Sequence, residues 1–406
     1  MSHSTARLRI TVLTLPLVAL VLAGCGSATT AATSAPSSIH LAVVGPMSGD
    51  AVTDGQHILQ GAEIARDQIN GAGGIKSGRY QGAQIVIDKF DDTESVDKSV
   101  EIARQVVNNK DEWAFLGTGF SDAAIATAPV LDRANVSYLS TYASSKEIIA
   151  KPRNNVFVVP PTFPAYAYSA AERAYALGYR HAAVLQANAA FGLQLAQLFR
   201  DHFTSLGGTI VGSETYTLGD KNTQGVVATV LRHSPDVIAL AGLSGDDAAQ
   251  LHQLRAAGST VPVIDTEAVT FGKSFISLAG PDADGLIGQT PSDPARSTPP
   301  SRHLRDLYNA RFQSALIPDP TAFTYEAVTA VATALESGPS DRTQLARALH
   351  SVTINDTGIG RLQFDQGGAR LGGTLWYYKI NKGSFHFDTG YRQTAPDAVT
   401  QTPLEE

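Results

Sequence analysis

Short apolar runs alternate along this chain with longer stretches in which apolar residues return every three or four positions. Positions 39–44 read as a strand, Gly-Pro-Met-Ser-Gly at 45–49 breaks it, and Ile58, Ala62, Ala65 and Ile69 then mark one face of a helix over 55–70. The glycine-rich stretch 70–74 predicts a helix stop. A strand over 83–90 follows, then a helix over 95–108 whose Val100, Ala103 and Val107 share a face, a strand over 113–116, a helix over 121–134, and strands over 136–140 and 156–159 before Pro160-Pro161.

A second series begins after the prolines. Helices over 166–177, 191–206, 223–232 and 246–257 alternate with strands over 181–185, 209–216, 237–240 and 261–264. Strands separated by helices of this length imply βαβ units and mostly parallel sheets. The expected class is α/β, with two doubly wound, mostly parallel-sheet lobes. Three helices, around 302–312, 321–336 and 341–349, come after 290–294 and are too many to cover the second lobe alone, so the chain is expected to return to the first lobe and end in the second. The expected boundaries are 39–160 with 291–363 for the first lobe, 161–290 with 364–395 for the second, and a flexible tail over 396–406.

Residues 1–24 fit neither lobe. Arg7 and Arg9 precede an apolar run over 10–23, too short for a membrane span and fitted to a signal peptide. It ends in Leu22-Ala23-Gly24-Cys25, which resembles the bacterial lipobox, where cleavage exposes a cysteine that is then acylated. Residues 25–38 carry no charge and read as a flexible tether. Without the leader, 29 basic residues stand against 38 acidic ones, a net charge of −9, which offers nucleic acid no attraction. Cys25 is the single cysteine, so neither an intramolecular disulfide nor a cysteine-based metal site is available.

Two strand ends offer hydroxyls and free amides to a small anion. Trp113 to Ser121 passes from an apolar strand through Gly117 and Gly119 to a serine that opens a helix, and Ser140, Ser144 and Ser145 follow the strand at 136–140. Ser121 also suits a helix N-cap, and the other serines suit a turn. No catalytic constellation appears. Gly272-Lys273-Ser274 ends like a phosphate-binding loop, but Glu267 stands where the opening glycine belongs; Gly242-Leu-Ser-Gly245 is one residue short of a nucleophile elbow; no H-E-x-x-H occurs. The chain is expected to use no catalytic residue, metal or cofactor.

Several motifs together carry a family likeness. Gly45-Pro46-Met47-Ser48-Gly49, Gly61-Ala62-Glu63, Ile69-Asn70-Gly71-Ala72-Gly73-Gly74-Ile75, Asp91-Asp92, Gly117 to Ser121, Leu139 to Ser144, Tyr325-Glu-Ala-Val and Gly360 to Gly368 resemble the branched-chain amino-acid binding proteins, type I periplasmic solute-binding proteins of ABC importers. The likeness spans about 39–380. It implies two lobes joined by three crossings that close on a ligand, a lipid anchor at Cys25, an extracytoplasmic place at the cell membrane, and ABC permease subunits as partners. By position, the Ser121 hydroxyl and the Ser144 amide and hydroxyl resemble the donors to a ligand carboxylate. The Tyr142 carbonyl and the Glu267 carboxylate resemble the acceptors of its ammonium, with Asp265 the alternative to Glu267. Phe191 resembles an aromatic cover, and Ala143, Leu243 and Tyr325 complete the expected lining.

The residues support such a clamp independently. A zwitterion entering a dry cleft must have both charges paired, which uncharged donors and one carboxylate can do. Glu267 also suits an exposed loop acid. Where leucine-specific relatives carry aromatics, this chain has Asp54 and lacks a tyrosine near Leu243-Ser244, so leucine specificity does not follow. Asp54 suits either a helix N-cap or a cleft acid favouring a polar or cationic side chain. The resemblance also admits amides, urea or small carboxylates as ligands, and a sensing or envelope-interaction role on the same fold.

Overall fold

The computed structural model describes Met1, Ser2 and residues 36–402, apart from 50, 221, 293–297, 315 and 396. Cys25 and the expected signal peptide cleavage lie outside the described residues, as does the tether up to 35. No described helix is long and apolar enough to cross a membrane.

The first lobe is built on β1 (Ser38–Gly45), α1 (Val52–Gly71), β2 (Gln84–Asp91), α2 (Val96–Asn108), β3 (Glu112–Leu116), α3 (Ser121–Arg133), β4 (Ser137–Ser140) and β5 (Val156–Val158). Its strands form a parallel sheet in the order β2-β1-β3-β4-β5. The second is built on α4 (Phe163–Ala176), β6 (His181–Ala187), α5 (Ala190–Ser205), β7 (Thr209–Tyr216), α6 (Gln224–Arg232), β8 (Val237–Ala241), α7 (Ser244–Ala256), β9 (Val263–Asp265), α8 (Lys273–Ala279) and β10 (Ile287–Thr290). These strands are parallel in the order β7-β6-β8-β9-β10, the same winding a second time. In each sheet the winding direction reverses beside the first strand, which opens a crevice at the strand carboxyl ends.

Helices on both faces account for the near-continuous apolar strands. All five residues of β8, Val-Ile-Ala-Leu-Ala, are buried, as a parallel sheet between two helical layers requires. Alternate residues of β6 serve different cores: Ala182 and Val184 pack with Phe199 and Tyr377, Ala183 and Leu185 with Leu251 and Tyr378.

After β10 come α9 (Pro299–Phe312), α10 (Asp319–Glu336) and α11 (Arg342–Ser351), then a small hairpin of β11 (Thr353–Ile354) and β12 (Leu362–Gln363). Helix α10 returns to the first lobe and lies on α1. A Cβ on Gly61 would sit 2.1 Å from the Thr321 carbonyl oxygen, so the close approach of the two helices needs that glycine. The Thr321 hydroxyl donates to the His57 carbonyl at 2.9 Å and the Tyr325 hydroxyl to Gln68 at 2.7 Å across the same seam. The rings of His350 and Phe364 pack on Phe157 of β5, and Ala369 bridges to Val158. The last passage to the second lobe therefore falls between Arg370 and β13 (Thr374–Asn381), later than the 363–364 boundary expected from sequence.

Strand β13, β14 (Ser384–Ala395) and β15 (Ala398–Thr402) add an antiparallel extension beside β10. The segment from 396 onward is thus not all a loose tail, because Ala398–Thr402 pairs with β14. Ser38, expected in the tether, opens β1. The buried stripe of α2 is Ser99, Ile102, Ala103 and Val106, shifted by one residue from the expected face except at Ala103; Ser99 can be buried because its hydroxyl donates to Asp92 at 3.0 Å. The glycine stop holds: Gly73 and Gly74 have φ of 97° and 90°, and the Gly74 amide donates to the Ile69 carbonyl at 2.9 Å.

Candidate functional site

Ser121 reaches the crevice because two glycines let its loop lie flat. A Cβ on Gly117, at φ 129°, would be 2.0 Å from the Val44 carbonyl oxygen, and one on Gly119 would be 2.9 Å from Pro46. Helix α3 then starts at Ser121 itself, with Phe120 as its N-cap. The N-cap alternative for Ser121 is therefore incorrect. Its hydroxyl makes no hydrogen bond among the described residues, and it stands where the first-turn amides of α3 are directed.

The turn after β4 is shaped by its own serines. The Ser140 hydroxyl donates to the Ala143 carbonyl at 2.8 Å and the Ser144 hydroxyl to the Tyr142 carbonyl at 3.1 Å, while the Phe163 amide donates to the Ser144 carbonyl at 3.1 Å. Ser145 donates to Gln194 on α5 at 2.9 Å, a hydrogen bond that joins the two lobes across the crevice.

The second lobe answers with residues beyond the ends of β6, β8 and β9. Phe191 lies in the first turn of α5, Leu243 is the N-cap of α7, and Glu267 stands two residues after β9. The Asp265 carboxylate is occupied within its own loop: it accepts from the Glu267 amide at 2.8 Å and the Thr270 hydroxyl at 2.7 Å. That leaves Glu267, not Asp265, facing the crevice.

These residues line a narrow cavity that is open to solvent on one side. Ser121, Tyr142, Ala143 and Ser144 line it from the first lobe, and Phe191, Leu243 and Glu267 from the second. Gly119, Phe120 and Phe163 complete the wall. Two expected residues are not brought there. Tyr325 is buried in the α1–α10 seam with its hydroxyl on Gln68, so the lining role expected of it is incorrect. Asp54 is neither an N-cap nor a lining residue: α1 is capped at Ala51 and Asp54 sits half-buried in its first turn.

A second, tighter cavity shares Tyr142, Ser144 and Glu267 with the first and adds Tyr166, Ala268, Val269, Asp319 and Phe323. Sequence reasoning missed these additions. Tyr166 and Phe323 sit on helices whose pattern does not single them out; the available signal was Asp319, an acid set between Pro318 and Pro320 at a helix start.

Burial dominates the electrostatics. It pushes the Glu267 carboxyl up to about 8, with the charges of Asp265 and Asp319 adding to the effect. Burial raises Asp319 to about 7 against the lowering effect of its hydrogen bonds from Ser292 and Thr290. Asp54 rises to about 6 through burial and the nearby charge of Glu94. The Tyr142 hydroxyl is held well above its usual value by burial and then by Asp54, Glu267, Asp319 and Asp265. A carboxyl raised as Glu267 is stays mostly protonated at pH 7, and a cation bound beside it favours loss of that proton to solvent. Among the described residues, no group of three or more His, Cys, Asp or Glu is placed to hold a metal ion.

A family model described as a periplasmic binding protein matches residues 38–384. The chain is 26% identical over 345 residues to a Leu/Ile/Val-binding protein homolog 3 of Brucella melitensis, covering 83% of this chain and 90% of the relative. It is also 26% identical over 359 residues to the Leu/Ile/Val/Thr-binding protein of Salmonella typhimurium, covering 86% and 93%. The crystal structure of the branched-chain amino acid transporter substrate binding protein LivJ from Streptococcus pneumoniae in complex with isoleucine has the same fold, with a TM-score of 0.78 at 19% identity over 90% of this chain and 99% of that one.

Proposed function

This chain belongs to the periplasmic binding protein family, and from that premise we propose that it captures an amino acid between its lobes and delivers it to the membrane permease of an ABC importer. The family is one of solute-binding proteins, not enzymes, and acts outside the cytoplasm. The observation that carries the reading is one cavity lined by Ser121, Tyr142 and Ser144 from one lobe and by Glu267 from the other. The ligand carboxylate meets the Ser121 hydroxyl, the Ser144 amide and the positive end of α3; its ammonium meets Glu267 and the Tyr142 carbonyl. Phe191 covers it. Capture works by closure: a ligand touching both lobes favours the state in which they meet, and the permease recognises that state.

Thermal melting of the purified protein tests the reading. An amino acid at a hundred times its dissociation constant should add about 2.7 kcal/mol to folding stability and raise the midpoint by roughly a few degrees. If only amides or simple carboxylates raise it, the ammonium site falls; if no α-amino acid does, the capture reading is wrong.

The protein works from a lipid anchor on this reading, with Cys25 as the acylated first residue of the mature chain. Mass spectrometry of the mature protein from a bacterial membrane should find an N-terminal Cys25 bearing acyl chains. An unmodified cysteine there would remove the anchor.

A further inference from the structure

The second cavity lies beyond the residues that hold the ligand's charged ends, and its far wall is unlike a pocket for an aliphatic side chain. Asp319, 8% exposed, uses Oδ1 to accept from the Thr290 and Ser292 hydroxyls, each at 3.1 Å, while Oδ2 has only a 3.5 Å contact with Thr290. Tyr166 is 2% exposed, lines the cavity, and its hydroxyl makes no hydrogen bond among the described residues. Val269, Ala268 and Phe323 supply apolar surface between them. No lysine or arginine lines either cavity among the described residues.

We propose that this cavity receives the ligand's side chain and selects one ending in a cation, the Asp319 carboxylate and the Tyr166 hydroxyl holding the terminal ammonium. The inference rests on the amino-acid reading above and names the substrate class: a diamino acid such as lysine or ornithine. A leucine side chain here would leave the Tyr166 hydroxyl unpaired and Asp319 Oδ2 with only its 3.5 Å contact to Thr290. A methylene stem fits the Phe323 and Val269 surface, with the charge carried past it to the acid. Two cationic groups on the ligand then match two cavity carboxylates, Glu267 and Asp319.

The charges facing Asp319 agree. Asp265 at the end of β9, Glu267 in the loop after it, Tyr142 and Tyr166 share its field, and Arg370, a cation that acts on Tyr166, is itself paired with Glu326. Burial pushes both cavity carboxyls up, so near pH 7 a bound ligand with two ammonium groups displaces protons that the empty site holds.

Titration calorimetry on the purified full chain, with L-lysine, L-ornithine, L-norleucine and L-glutamine as probes in two buffers of different ionisation enthalpy, tests this. Lysine or ornithine should bind about thirtyfold or more tighter than norleucine, which has nearly the same length without the charge, and should release protons at pH 7. Asp319→Asn should lose that preference. Norleucine or glutamine binding as tightly as lysine in the unaltered protein overturns the cationic side chain and leaves the amino-acid clamp standing. Asp319→Asn with the preference intact overturns the role of Asp319. If none of the four binds, the amino-acid reading falls and this inference falls with it.

Discussion

Replacing Glu267 by alanine should weaken the binding of an amino acid by roughly 2 to 5 kcal/mol, about thirtyfold to several-thousandfold in dissociation constant. The size follows from what is left behind. Glu267 is the carboxylate that the second lobe contributes to the cavity shared with Ser121, Tyr142 and Ser144. Without it the α-ammonium of a bound ligand keeps only the Tyr142 carbonyl, and that carbonyl already accepts from the Ser144 hydroxyl at 3.1 Å. A charge taken out of water and half-paired costs more than the pair was worth.

The same residue predicts a pH dependence whose sign can be worked out. In the empty site the Glu267 carboxyl rises to about 8, first through burial and then through Asp265 and Asp319. Raised folded-state values mean that between about pH 4 and 8 the folded, empty protein binds more protons than the unfolded chain, so this group's effect on stability declines as pH rises through that window. A cationic ligand prefers the ionised form. Affinity should therefore climb as pH goes from about 6 to 8, and Glu267→Ala should flatten the part of the climb due to this group. Calorimetry across that range, on both proteins, provides the check. An unchanged affinity in the variant removes Glu267 from the site.

Much of this site is visible in the sequence because the fold repeats one device. Cavity-lining residues stand just past strand carboxyl ends, and the apolar run that marks a strand also marks where to look. Ser121 after β3, Tyr142 to Ser144 after β4, Phe191 after β6, Leu243 after β8 and Glu267 after β9 all meet at the cavity. Asp319 escapes that rule. It arrives on a helix that returns from the second lobe to the first, so its place depends on where the crossing lands, and Thr290 and Ser292 fix that landing through their bonds to it. Tyr325 fails for the converse reason. Its motif has the right sequence, but the helix register turns it into the α1–α10 seam, onto Gln68. Local polarity misled the reading of the tail, too: β15 reads Ala-Val-Thr-Gln-Thr, with little apolar signal, yet pairs with β14 at the edge of the sheet. Helix α8 has seven residues, too short for periodicity to separate it from a loop.

Arg370→Ala should cost roughly 3 to 5 kcal/mol of folding stability, the usual loss when one member of a buried ion pair is removed. Arg370 is 2% exposed and Glu326 is wholly buried. The guanidinium donates to both Glu326 oxygens, at 2.5 and 3.1 Å, and to the carbonyls of Val159 and Arg361 at 3.0 Å each; Glu326 also accepts from the Thr357 hydroxyl. Val159 opens the first passage between lobes, Glu326 lies on α10 after the second, and Arg370 stands just before the third. One side chain thus joins the chain at all three places. Alanine removes the charge that neutralises Glu326 and leaves the buried Val159 carbonyl without this donor, which explains why the expected loss exceeds that of an exposed pair by several-fold.

Urea denaturation of a small set of variants separates the pair from the site around it. Arg370→Ala and Glu326→Ala should each be strongly destabilising, and the double variant should lose clearly less than their sum, because the second change removes a charge already stranded by the first. Arg370→Met with Glu326→Leu should recover most of the stability, since apolar groups of similar volume need no partner. A loss below about 0.5 kcal/mol for Arg370→Ala, the range of an ordinary surface change, would mean that the passages between lobes are held by other contacts. Ligand affinity measured on the Met/Leu pair then tests a separate point. Recovered stability with weakened binding would make the ion pair a device for setting how the lobes meet, since neither residue lines the two cavities.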